Sequence, residues 1–408
     1  MMIKTIIKKR IKIILTIILS LVIVVWGKEI AGFFRRGYKN LGYLFKSTPT
    51  PTLKVFTNPT LQFKEVVFQP SLVTISNSPT IIPTSTPKPT KVIKKTPTPT
   101  SRPTPNQQNL PSADSLSKSK LGIFMIGHLT NGAKKIIEGN PPVIKVIEPL
   151  SDPSFFEAIR AYKQRVPQGI VIVRFYNGTQ GLYYSLSSNP VSSAEDFFNR
   201  VVKPGIEALG DKRQLFDYMQ NPNEFETTPK WWGEAKIKWN GAFWKKLTEL
   251  TLNYYGVKTC IGGIPVGNIE ASELGYILED LKAIKNMGGA FCYHGYTFSY
   301  SQNLNQEINL SLRYRQFYNF FSSSAPELLN MPLILSEGGV AEGGDPSGGY
   351  LKSGRVDDYK NWLVWFDNEL KKDSYVKGVT LFQIGNDSDW NYFNLEPISS
   401  WLSEYIRL

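Results

Sequence analysis

The sequence predicts a (β/α)8 barrel over residues 118–408. Eight short apolar runs alternate with longer helical patterns from Leu121 to the C-terminus. That alternation, over about 290 residues, has the count and length of eight β/α units. The rival is an open doubly wound sheet, but "GIFMIGHLTNGA" after the first run lacks the glycine spacing of a phosphate loop.

The strand candidates are residues 121–127, 142–148, 169–175, 214–220, 257–263, 289–295, 332–338 and 376–385. Each is rich in Val, Ile, Leu or Phe, as strands buried on both faces require. Between them, "SDPSFFEAIRAYKQRV", "SSAEDFFNRVVKPGIEALG", "IKWNGAFWKKLTELTLNYYG", "SELGYILEDLKAIKNMGG" and "VDDYKNWLVWFDNELKKD" read as helices. Several open on Ser or Asp, whose side chains can accept from the free first-turn N–H groups, and stop near glycine.

Two segments precede the barrel. In residues 1–46 a basic tip is followed by the uncharged stretch Ile13 to Gly27. Lys12 and Lys28 can snorkel to lengthen that short span. The expectation is a transmembrane signal anchor with a cytoplasmic N-terminus; a cleaved signal peptide is the alternative. Residues 47–117 are expected to form a disordered Pro/Thr-rich linker. Positions 47–111 hold 13 of the chain's 27 prolines and no sustained apolar period. Together these segments predict a single-pass protein of the cell membrane with an extracellular C-terminal domain.

The formal charge of +13 is unevenly placed. Residues 1–112 carry 17 Lys and Arg against Glu29 and Glu65, whereas the remainder carries 30 against 32 acids. The globular part is nearly neutral, which argues against a nucleic-acid partner. Cys260 and Cys292 are the only cysteines. They form no zinc pattern and read as two small buried residues, or as one disulfide if the domain is extracellular.

In (β/α)8 barrels chemistry collects at the C-terminal ends of strands. Those ends are His128, Glu148, Arg174, Gln220-Asn221, Gly262-Gly263, His294 with Tyr296, Glu337, and Gln383 with Trp390 beyond it. "PLILSEGG" places Glu337 at a rim, followed by two glycines that let the backbone turn away. A tyrosine such as Tyr296 can orient a nearby carboxylate. Trp390, like Trp231 and Trp232, has a face broad enough to stack on a sugar. The two histidines give no metal-ligand spacing, so no metal or cofactor is expected.

With "QNPNEF" after the fourth run, "HGY" after the sixth, "LSEGG" after the seventh and a tryptophan after the eighth, residues 120–405 resemble the clan A retaining glycoside hydrolases of families 39 and 5. In that clan the fourth strand ends in Asn-Glu-Pro, whose Glu is the acid/base, and the seventh in the nucleophilic Glu. The resemblance implies Glu337 as nucleophile, with His294, Tyr296 and Arg174 lining the site and a poly- or oligosaccharide as partner. It aligns Gln220 with the clan asparagine and Asn221 with the acid/base, yet an amide has no labile proton to give. Glu224 and Glu226 are the candidate replacements. Three functions follow: a surface-anchored glycoside hydrolase, a catalytically inactive glycan-binding barrel, or a structural surface protein.

Overall fold

Eight parallel strands close on themselves in sequence order: β1 (Leu121–Met125), β2 (Val143–Ile147), β3 (Ile170–Arg174), β4 (Tyr218–Met219), β5 (Lys258–Ile264), β6 (Ala290–Thr297), β7 (Leu333–Val340) and β8 (Val376–Ile384). Pairing of β8 with β1 completes the barrel. The structure is a computed structural model that describes residues 116–176, 183–224, 233–386 and 390–408. The expected anchor and residues 47–115 of the expected linker lie outside these residues, as do Glu226, Trp231 and Trp232. Among the described residues no helix is long and apolar enough to cross a membrane.

Side-chain alternation along the strands decides what meets the helices and what fills the barrel. Ile144, Val146, Val171, Val173, Met219, Phe291, Leu333 and Leu335 join the main core, which includes residues of the surrounding helices. The alternate positions Val143, Ile172, Tyr218, Cys260, Ala290, Cys292 and Ile334 form a separate cluster inside the barrel. Two residues further along the same strands come Lys145, Arg174, Gln220 and His294, all buried. The interior is therefore apolar below and charged above. Cys260 and Cys292, on neighbouring strands with Cα atoms 5.6 Å apart, are joined as a disulfide in the apolar layer.

The helical wall contains the expected helices, including Ser154–Arg165, Glu234–Tyr255 and Val356–Lys371. The last helix, Ser399–Arg407, packs Leu402 and Ile406 into the same core as Ile136 and Ile137 of the first, Asn131–Glu138. Ser403 Oγ also donates to Lys135 O at 2.6 Å. This contact ties the C-terminus to the β1 side of the wall.

One strand departs from expectation. The run 214–220 is extended only near its end, because Gly210–Leu215 winds into a 3-10 turn. That turn contains Asp211, Lys212, Arg213 and Gln214, which have no place in an apolar barrel wall. Asp217 starts the ladder: its N–H donates to Val171 O at 2.8 Å, and its carboxylate accepts from Val171 N and Lys163 Nζ.

Candidate active site

Glu337 reaches the barrel interior through a bulge. Leu335 pairs with Tyr293 and Glu337 with the next residue, His294, so Ser336 is an extra residue in β7. A bulge re-aims the side chain that follows it. Without it, strict alternation from Ile334 would turn Ser336 inward and Glu337 outward.

Both oxygens of the Glu337 carboxylate are held. Lys145 Nζ donates to Oε1 at 3.1 Å, and the Tyr296 hydroxyl donates to Oε2 at 3.0 Å. His294 Nδ1 stands 3.6 Å from Oε2. Burial by itself would favour the neutral acid. The charges of His294, Lys145 and Arg174 outweigh it and hold the Glu337 pKa down to about 2. Tyr296 is driven the other way, well above its ordinary value, by burial and then by the charges of Glu337 and Glu224. It remains a hydrogen-bond donor throughout the neutral range.

Glu224 supplies the second carboxylate. Its backbone is left-handed at φ +40°, and its N–H donates to Gly263 O at 3.0 Å, so the chain turns toward β5 as it leaves β4. The side chain lies 2.7 Å from His294 Nδ1. Ligand atoms of Glu224, His294 and Glu337 all lie within 4.8 Å of one another. The Glu224 side chain is 37% exposed and that of Glu337 only 8%. These three groups could also offer atoms to a metal ion, though Lys145 and Arg174 beside Glu337 already place positive charge there and would repel one.

Asn221 is held by the backbone of the neighbouring strand. It is 1% exposed, accepts from Phe175 N at 2.9 Å and donates to Phe175 O at 2.8 Å. These two bonds tie the end of β4 to β3, a structural task that stands beside the substrate-binding role expected of Asn221. Asn221→Glu should consequently lower stability by about 1–3 kcal/mol, as it sets a carboxylate against a carbonyl and removes a buried donor. It should not raise activity; a thermal melt combined with an aryl-glycoside assay measures both effects.

Gln220 is fully buried and donates to Asn223 Oδ1 at 2.9 Å. Its Oε1 and His294 Nε2 are buried without a hydrogen-bond partner among the described residues. Gly263 brings these groups together. A Cβ at that position would stand 2.5 Å from Gln220 Nε2, 3.3 Å from His294 Nε2 and 3.4 Å from Asn223 Oδ1. Its φ of +64° also disfavours any other residue.

Trp390 lies with its ring 5.6 Å from Phe382, which is 6.3 Å from Tyr296, so an aromatic wall borders the carboxylates. His128 is exposed on the turn after β1, beside Asp152, and lies outside the buried cluster. Gln383 is occupied by backbone groups of Asn386 and Trp390. Lys145 and Phe382 were missed as site residues. Lys145 had a visible signal, a lone cation in the middle of "PVIKVIE".

The fold and site together define a (β/α)8 barrel with paired carboxylates at its C-terminal mouth. No family model matches the chain, and no curated protein matches it. Among solved structures it is similar to a glycoside hydrolase family 5 enzyme from Prevotella bryantii B14, at 11% identity and TM-score 0.43, covering 72% of this chain and 100% of that one. It is also similar to a family 39 enzyme from Xanthomonas axonopodis pv. citri, at 10% identity and TM-score 0.41, covering 72% and 67%. A family 30 subfamily 8 xylanase from Clostridium acetobutylicum matches at 9% identity and TM-score 0.41, covering 72% and 73%.

Proposed function

We propose that the barrel is a retaining O-glycoside hydrolase acting on a poly- or oligosaccharide, with Glu337 as nucleophile and Glu224 as acid/base. The observation that carries this reading is the convergence of the two carboxylates on His294, with oxygens within 4.8 Å of each other. Retaining enzymes keep their carboxyl groups about 5–5.5 Å apart, whereas inverting enzymes need about 6.5–9.5 Å for an intervening water. Asn223-Glu224 also supplies the Asn-Glu order that the resemblance requires, three residues beyond the first alignment.

The roles follow from the two environments. Glu337, held ionised and aimed by Lys145 and Tyr296, attacks the anomeric carbon. Glu224, the more exposed of the pair, protonates the leaving oxygen and then takes a proton from the water that cleaves the glycosyl-enzyme. Gln220 and His294, buried beside the carboxylates, would form the floor beneath the bound sugar. The glycan-binding alternative drew its strength from an amide in the acid/base place; the proximity of Glu224 to Glu337 supports the hydrolase reading instead. NMR of the first-formed product should show the anomer of the substrate. The opposite anomer would overturn the mechanism, and saturable oligosaccharide binding without turnover would favour the binding module.

The localisation reading is that residues 1–46 anchor the chain and residues 47–117 hold the barrel outside the cell. The apolar stretch Ile13 to Gly27 and its basic flanks support this, as does the Cys260–Cys292 disulfide, a bond that persists in oxidising compartments. Fractionation should recover the barrel with membranes and open to added protease on intact cells. A barrel in the soluble fraction, shielded from protease, would overturn it.

A further inference from the structure

We propose that Lys145 is the positioning residue of Glu337, fixing one carboxylate oxygen and keeping the group ionised inside the barrel. The catalytic meaning of this assignment rests on the retaining-hydrolase reading.

A lysine is rarely fully buried unless paired. Lys145 is 0% exposed, in the middle of an otherwise apolar strand. Its ammonium has three donors and meets three groups. Nζ donates to Ser336 O at 3.0 Å and to Glu337 Oε1 at 3.1 Å, and it lies 3.9 Å from the centre of the Phe124 ring. β2 and β7 are not neighbours in the sheet, so these bonds cross the barrel interior. The lysine also grips Ser336, the bulged residue whose insertion turns Glu337 inward. One side chain thus holds both the backbone that aims the carboxylate and the carboxylate itself.

Each oxygen of Glu337 then has its own donor, Lys145 from β2 and Tyr296 from β6. The other charges facing Glu337 are Arg174 from β3, His294 from β6 and Glu224 from the turn after β4. Tyr296 is neutral and Glu224 is of like sign, so Lys145 is the cation hydrogen-bonded directly to the carboxylate. Burial lowers the Lys145 pKa to about 8 against the pull of Glu337. The amine therefore stays largely charged through the neutral and acid range in which Glu337 must remain a carboxylate. Removing that charge raises the Glu337 pKa, and activity that needs the ionised nucleophile is lost at a higher pH as the solution is acidified.

The experiment uses the full chain with Lys145→Met and Lys145→Arg, a dinitrophenyl glycoside panel and thermal melts to confirm folding. In K145M the acid limb of kcat/KM should move up by about one pH unit or more, the usual effect of losing a contacting opposite charge. Its kcat should fall about 10²-fold with little change in KM, as expected for a misplaced nucleophile. K145R keeps a cation and should hold the acid limb near its wild-type position while recovering part of kcat. A folded K145M with an unmoved acid limb would overturn the assignment, as would K145R behaving like K145M. Should K145M fail to fold, Lys145→Gln takes its place.

A 13C-carboxyl titration, with Glu337 identified by its absence in Glu337→Gln, decides the matter without turnover. Wild-type Glu337 should stay ionised well below the ordinary carboxylate range and K145M or K145Q should titrate higher. A wild-type Glu337 with an ordinary pKa would overturn the proposal on its own. If the titration behaves as expected but no glycoside is cleaved, the hydrolase reading fails while the role of Lys145 stands.

Discussion

Glu337→Gln should reduce hydrolysis of activated aryl glycosides by about 10⁴-fold or more, the scale on which enzymes lose rate when a covalent nucleophile is removed. The substitution is close to isosteric, and glutamine can still accept from Tyr296. Removing one partner of a buried ion pair typically costs about 3–5 kcal/mol because an uncompensated charge remains. Here Lys145, with its pKa already lowered to about 8, can shed its proton near neutral pH and limit that cost. The variant should therefore fold, as far-UV circular dichroism will check. Steady-state assays of a folded E337Q should show no residual burst of the leaving phenol. Activity within tenfold of the wild type would remove Glu337 from the nucleophile's role.

Glu224→Gln should act selectively. With a leaving group that needs a proton, kcat/KM should fall about 10²–10⁴-fold, the usual contribution of general acid catalysis. With dinitrophenyl glycosides the first step needs no proton and kcat/KM should change little. The second step, deprived of its base, then becomes limiting, so kcat and KM fall together as the glycosyl-enzyme accumulates. Added azide should restore kcat and yield a glycosyl azide of retained configuration. A uniform loss across all leaving groups, with no azide response, would exclude Glu224 as the acid/base. The same series on Glu226→Gln tests the neighbouring carboxylate, which lies outside the described residues.

The barrel was legible because its strands are buried on both faces and must be written as continuous apolar runs. β4 was legible only at its end, since the polar turn Gly210–Leu215 precedes a very short ladder. Alternation carried Arg174 and His294 to the interior without further information, and would have carried Lys145 too. Glu337's inward aim depends on the extra residue in β7, and a bulge of that kind leaves no mark in an apolar run. The ambiguity between Asn221 and Glu224 had a physical origin. "QNPNE" allows two alignments, Gln220-Asn221 and Asn223-Glu224, and the left-handed turn at Glu224 brings the second one's carboxylate back to the mouth.

Gly263 bears on how this site could be redesigned. It contributes no functional group, yet three polar side chains of the site close over the space where its Cβ would be. A mutagenesis library that randomised every residue around the carboxylates would waste its variants at this position. Nearly all of them would displace Gln220, Asn223 and His294 at once, and so disrupt the arrangement beside Glu224 and Glu337 that such a library seeks to keep. Altered specificity is better sought at Trp390, which reaches the carboxylates only through the rings of Phe382 and Tyr296.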